Sequence, residues 1–237
     1  MAGKEHPILF SAPMVLAILA KRKTQTRRAI SDKNSMGNFK ASELLLDQAW
    51  VDTGPSPAGN AGPYLHAPVN APLIEQRLGW KPGDCDPFVI ERLSPRVDVG
   101  DVLWVKEPWR VSPAYDAYQS LSPHVGAVEY QSGPVLEEAG RWRSPLFMPR
   151  WASRITLKVT AVRAQRVQDI SEEDARAEGI YEPAPVHGRW CDPAKGREGH
   201  WSYRQPYSVL WDAISGKKHP WASNPLVWVY EFKSSEG

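Results

Sequence analysis

The chain has 237 residues, 42% of them hydrophobic and 24% charged, with a formal net charge of +2. That length and composition suit a soluble globular protein that buries its own core, and they exclude a disordered chain or a molecule-wide basic field, so any nucleic-acid contact must come from a local patch. Eleven Trp and 22 Pro are the departures from average, and they predict much irregular chain and many aromatic rings to bury or to present.

Pro7-Ile8-Leu9-Phe10 reads as a short strand. Ser11 can cap the helix that follows, Pro13 suits its first turn, and Met14, Ala17, Ile18 and Lys21 form one stripe, a core face with Val15 and Leu19 beside it. The apolar run Ala12 to Ala20 is too short to span a membrane, and no membrane association is expected. Five cations close the helix, Lys21, Arg22, Lys23, Arg27 and Arg28, with Thr24 and Thr26 among them. One reading is a solvated basic helix end; the other is a site for something anionic or base-like. Gln25 to Ala29 is expected to be extended and to pair with residues 7–10.

From about 31 to 95 the pattern weakens. Ser42 to Trp50 suggests a short helix, whereas Gly54 to Pro72 holds five prolines and reads as loop without regular structure. Val102 to Glu107 is a strand that begins apolar on both sides, which predicts a central position, with Leu103, Val105 and Glu107 sharing a face. Residues 111–146 read as a second irregular insertion. Ile155 to Ala164 is the longest strand, and its alternation changes phase near Ala161, the mark of a bulge. Ser171 caps a helix with Glu172, Glu173 and Asp174 in its first turn, and Gly179 ends it. Residues 181–204 form a third insertion, Pro206 to Ile214 a last helix, and Leu226 to Phe232 a strand apolar on both faces. The chain is therefore read as one domain over 1–237, with core pieces 7–30, 96–110, 147–180 and 205–233 and insertions at about 31–95, 111–146 and 181–204. Two cysteines, Cys85 and Cys191, lie outside any CxxC motif, and none of six histidines forms a metal-binding pair, so reduced thiols, a cytoplasmic setting, no metal and no cofactor are expected.

Glu178 stands in the last turn of its helix, where the dipole disfavours an anion, so it points into water or meets a cation. Paired with Lys23, it makes chemistry possible: a lysine among other cations has its pKa lowered toward use as a base, and a threonine hydroxyl needs such a base to become a nucleophile. Lys23 and Thr26 share a face only if the chain turns between them. For the aromatic and basic set the simple reading is core and strand-end packing. The alternative is base stacking on Trp109 or Trp151, with Arg27, Arg28, Arg150 and Arg154 on phosphates and Glu107 as a polar partner.

Taken in order, Lys23-Thr24-Gln25-Thr26-Arg27-Arg28, Gly100 to Glu107, Ile170 to Ile180 and Asn224 to Phe232 resemble the ASCH domain family of the PUA-like superfamily, over about half the chain; the long insertions resemble members carried by bacteriophages and prophages. The resemblance implies an α+β fold, a PUA-like mixed β-barrel with flanking helices, here with long irregular insertions, in the cytoplasm of a bacterial host. It also implies a cleft for RNA or a modified nucleoside. Some small members remove the acetyl group from N4-acetylcytidine, and their Lys, Thr and Glu fall on Lys23, Thr26 and Glu178. The expected function is thus a metal-independent amidohydrolase acting on an N4-acylated cytosine-type base, with Thr26 as nucleophile, Lys23 as base and Glu178 orienting it. The alternatives are an RNA-binding module without turnover, or a ribonuclease.

Overall fold

The computed structural model describes residues 3–31, 50–52, 64–68, 90–111, 128–133, 141–180, 191–192, 197–198 and 202–234. The fold is α+β around a mixed five-stranded sheet whose strands are, in spatial order, β1 (Glu5–Leu9), β6 (Val102–Lys106), β9 (Thr156–Arg166), β12 (Leu226–Ser234) and β2 (Gln25–Ala29). Only β1 and β6 run parallel, and every other neighbouring pair is antiparallel. Among the described residues the sheet is open, with β1 and β2 as its edges.

Among the described residues three helices flank it: α1 (Ala12–Leu19), α2 (Glu172–Ala177) and α3 (Arg204–Ser215). The alternation of β12 assigns them to two layers. Leu226, Trp228, Tyr230 and Phe232 pack with Val15 and Ile18 of α1 and with Leu103, Val105, Leu157 and Val159. Val227 and Val229 point the other way, onto Ala175 of α2 and Tyr207 and Trp211 of α3. A strand buried on both faces lies inside the sheet, as the apolar character of both faces of Leu226 to Phe232 allows. The register of β9 on β12 slips between Glu231 opposite Ala161 and Phe232 opposite Val159, the expected bulge. A third, smaller core of Trp109, Val111, Val128, Tyr130, Met148 and Ala152 lies under the pair β7 (Trp109–Val111) and β8 (Val128–Tyr130).

The structure corrects four expectations. β1 and β2 do not pair: β1 takes β6 and β2 takes β12, and a side-chain bond, Arg28 to the Leu9 carbonyl at 2.8 Å, spans the two edges. α1 ends at Leu19, ahead of the cations. Ser11 occupies the N-cap position without a side-chain capping bond. The prolines of 54–72 do not prevent β4 (Tyr64–Pro68), the middle strand of a small antiparallel sheet with β3 (Trp50–Asp52) and β5 (Ile90–Leu93), in which Pro68 is the last residue. The other insertions likewise hold short pairs, β7–β8 and β10 (Cys191–Asp192) with β11 (Arg197–Glu198). The helix expected over 42–50 lies outside the described residues except at Trp50, which begins β3. Among the described residues no helix is long and apolar enough to cross a membrane.

Candidate functional site

The cation run does not form a solvated helix end. The N–H groups of Arg22 and Lys23 both bond the Ala17 carbonyl, at 2.8 and 3.0 Å, which wraps the chain back under α1. Lys21 takes the left-handed turn that this requires, with φ 58°, a conformation that disfavours any residue but glycine or asparagine. Thr24 then donates its N–H to Ala177 and accepts from Phe232, so residues 23–24 lie between the end of α2 and the end of β12. Lys21 and Arg22 stay exposed, whereas Lys23 is 2% exposed.

Lys23 meets Glu178 there, across 155 residues of sequence. Its Nζ lies 2.6 Å from Glu178 Oε2 and 2.9 Å from the Glu178 carbonyl oxygen. Glu178 Oε1 accepts from Arg27 at 3.1 Å. Arg27 also donates to Asp174 at 2.7 Å, Asp174 receives Arg163, and Arg163 reaches Glu231. Charges thus alternate from Lys23 to Glu178, Arg27, Asp174, Arg163 and Glu231, with the Arg27 guanidinium over the Tyr207 ring. Gln25, on the same face of β2 as Arg27, donates to the Asp174 carbonyl at 2.5 Å. Burial lowers the pKa of Lys23; Glu178 opposes that, and the Arg28 and Arg27 charges add to it, the net result lying below the ordinary value. Asp174 also lies below its ordinary value: burial pushes it up, but hydrogen bonds from Gln25 and Arg163 and the charges of Arg27 and Arg163 outweigh that.

Thr26 is 4% exposed and alternates with Gln25 and Arg27, so it shares its face of β2 with Arg28 and stands opposite Tyr230. The Lys23 ammonium reaches that side as well: the Phe10 ring has Lys23 Nζ 5.5 Å and Arg28 Cζ 5.4 Å from its centre. Lys23 thus bonds Glu178 on the face that carries Gln25 and Arg27, and its ammonium also lies near Phe10 and Arg28; Thr26 is on the opposite face of the strand from Arg27, so the turn that would put Lys23 and Thr26 on one face is not formed. Among the described residues no hydrogen bond joins Lys23 to Thr26.

Two of the hollows among the described residues border Lys23 and Arg28. One, of about 230 Å³, is lined by Ile18, Lys21, Lys23, Thr24, Phe232 and Lys233. The other, of about 430 Å³, opens between β1 and β2 and is walled by Ile8, Leu9, Arg28, Arg96, Trp228 and Tyr230. It stops one residue pair short of Thr26, whose cross-strand partner Tyr230 is in its wall. Burial pushes the Tyr230 hydroxyl up to about 12. Trp228 Nε1, from the same wall, is a buried donor without an acceptor, and such groups are rare in folded proteins.

The other residues picked from sequence gather elsewhere. Glu107, 1% exposed, holds Arg154 through two bonds at 2.9 and 3.1 Å and accepts from Ser132. Arg154 stacks 4.1 Å from the Tyr130 ring centre. Trp109 is 4% exposed, with Trp151 edge-on to it at 6.1 Å, and Arg150 pairs with Glu5. The sequence reading expected one cleft bordered by both sets. The structure forms two groups because the β2 edge carries Lys23 and Arg27, while the segment following β6 carries Glu107 and Trp109. Arg27 and Arg154, expected on phosphates, already neutralise carboxylates, and Trp109 is core. Asp174 was missed, although it stands four residues before Glu178 and so above it on one helix face, a spacing that signals the pair. Among the described residues no group of three or more His, Cys, Asp or Glu could hold a metal ion.

Compared with protein-family profiles, curated proteins and solved structures, the chain matches none.

Proposed function

We propose that this protein is an ASCH-type member of the PUA-like superfamily that binds a nucleoside or an RNA base and hydrolyses an amide on it, an N4-acylated cytosine being the substrate class. The observation that carries the reading is the buried Lys23–Glu178 pair. Residues 155 positions apart, chosen from sequence for their chemistry, meet at 2.6 Å, and burial lowers the pKa of Lys23, the direction that favours its use as a base.

In the proposed reaction the neutral Lys23 amine takes the proton of the Thr26 hydroxyl as its oxygen attacks the acyl carbonyl carbon. The tetrahedral intermediate collapses, the C–N bond breaks, and the Lys23 ammonium returns the proton to the departing exocyclic nitrogen. Water, deprotonated by Lys23, then attacks the Thr26 ester carbonyl; the C–O bond to Thr26 breaks as the Lys23 ammonium returns that proton to the Thr26 oxygen, and the carboxylic acid leaves. Glu178 fixes the Lys23 side chain and balances its charge whenever it is protonated. The base enters by the β1–β2 cleft, where Tyr230 and the unpartnered Trp228 N–H offer a ring face and a donor to a pyrimidine carbonyl.

The test is hydrolysis of N4-acetylcytidine, followed by absorbance, for wild type, Lys23→Met, Thr26→Ala and Glu178→Gln. Turnover by wild type that is lost with Thr26→Ala, and an acetyl adduct on Thr26 found by mass spectrometry, support the proposal. Absent turnover, or equal rates in the variants, removes it.

A further inference from the structure

Helix α3 carries more apolar surface than the fold covers. Tyr207 and Trp211, four residues apart, share one side and are buried in the core that holds Val227 and Val229 of β12. Pro206, Val209, Leu210, Ala213 and Ile214 recur at the i, i+3, i+4, i+7 and i+8 spacing and form a second stripe beside the first. Val209 is 67% and Ile214 52% exposed, Ala213 is exposed, and Pro206 and Leu210 are half-buried. Residues at this spacing lie about 5–6 Å apart at Cβ, so the stripe runs unbroken for about 12 Å along the helix. Gln205, Ser208 and Asp212 lie on the opposite, polar side, where Asp212 accepts from the Trp221 N–H at 2.6 Å. A surface helix has one apolar stripe for its own core; a second, left in water, marks a contact surface.

Shape and charge together select the occupant. The stripe is built of branched and small aliphatic groups without a ring, the kind that interdigitates with the ridges of another helix. A helix that lies on a membrane carries cations along its polar side, and Gln205, Ser208, Asp212 and Ser215 supply none. A second copy of the chain is disfavoured by charge. Arg204, bonded to the Gln168 carbonyl, begins the helix, and the exposed Lys217 and Lys218 follow its last turn, with the Lys218 N–H on the Ser215 carbonyl. Two copies of α3 packed antiparallel bring Arg204 toward the lysines, and packed parallel they bring the lysines together. Glu172, near the start of the helix, already accepts from the Ser202 hydroxyl and the Tyr203 N–H. The cations therefore complement an acidic chain. We propose that the outer stripe of α3 docks an amphipathic helix of an acidic partner protein. Its apolar residues pack between Val209, Leu210 and Ile214, and its carboxylates face Lys217 and Lys218. The stripe contributes no residue to the proposed hydrolase, so each reading is tested by itself.

The experiment is fluorescence anisotropy of a labelled synthetic peptide about eighteen residues long, enough for a helix, titrated with the full chain. The peptide has Leu at every third or fourth position and Glu on both flanks, and a matched peptide carries Lys in place of Glu. The Glu peptide should bind, and the Lys peptide should bind about tenfold more weakly or worse. Val209→Gln combined with Ile214→Gln changes exposed side chains and is checked for an unchanged melting temperature. It should weaken the Glu peptide about tenfold or more, because two aliphatic groups no longer leave water. Lys217→Glu combined with Lys218→Glu should reverse the preference, so that the Lys peptide binds better. No binding of the Glu peptide, equal affinity for the two peptides, or wild-type affinity in the Val209/Ile214 variant would overturn the proposal. So would a wild-type dimer in sedimentation that the Val209/Ile214 variant abolishes, which would make a second copy the occupant. Cosedimentation with phosphatidylserine vesicles, lost in the same variant, would overturn it in favour of a membrane.

Discussion

At the scale of single residues, the chemistry turns on how much charge Glu178 returns to Lys23. Its carboxylate is shared with Arg27, and burial more than offsets what it gives Lys23. The activity of the proposed hydrolase should therefore rise with pH along a limb whose midpoint lies below the ordinary lysine value of 10.5, because the neutral amine is the working form. Glu178→Gln removes the one influence that raises the Lys23 pKa, so the limb should move to lower pH. The same change leaves Lys23 and Arg27 buried without their shared anion, and urea unfolding should show a loss of about 3–5 kcal/mol. A pH–rate limb that stays in place in Glu178→Gln would mean that another group is titrating. Thr26→Val, which keeps the shape and loses the hydroxyl, should abolish turnover while leaving the melting temperature near that of wild type.

At the scale of elements, the turn after α1 and the end of α2 are fitted to each other by the absence of one carbon. Gly179 has φ 92°, and a Cβ there would lie 2.9 Å from the Ala17 Cβ and 3.0 Å from the Lys23 Cβ. Gly179→Ala should thus strain the backbone and push α2 off the Lys23 segment, lengthening the Lys23–Glu178 contact; a lowered melting temperature together with reduced turnover is the expected result. Lys21→Gly acts in the opposite sense, since Lys21 holds φ 58° against its preference, and it should stabilise by about 1 kcal/mol in denaturant titration. These elements differ in how far the sequence reveals them. The Ser171 cap, the stop at Gly179 and the bulge near Ala161 are local signals, and each is found in the structure. The partners of β1 and β2 are not local. The short hop between residues 10 and 25 suggests a hairpin, but the wrap under α1 turns the second strand toward β12, 200 residues away in sequence. The exposure of Phe147 was equally hidden, since a run such as Pro145-Leu146-Phe147-Met148 looks the same whether its rings are buried or presented, and here only Met148 turns inward.

At the scale of the whole molecule, the alternating charges do what no single strand does: they fasten α2 to three strands, through Lys23 and Arg27 at β2, Arg163 on β9 and Glu231 on β12. One end of this chain of pairs, Lys23 and Glu178, was legible. The other end was not, because Arg163 and Glu231 become neighbours only when β9 and β12 are in register. The linkage makes a prediction about acid. Asp174 titrates below its ordinary value of 3.8 in the folded protein, so the folded state binds its proton less readily than the unfolded chain does. The stability it contributes is fully present above 3.8 and is lost as the pH falls through the lower, folded value. Urea unfolding from neutral pH into that window should show the loss in wild type. Asp174→Asn leaves Arg27 with Glu178 as its remaining carboxylate partner and Arg163 with Glu231. It should be less stable than wild type at neutral pH and should fall less steeply as acid is added. Asp101 and Glu5, whose pKa values are also lowered, are present in both proteins, so they cancel in the comparison. Parallel acid slopes in the two proteins would show that Asp174 carries none of the coupling between α2 and the sheet.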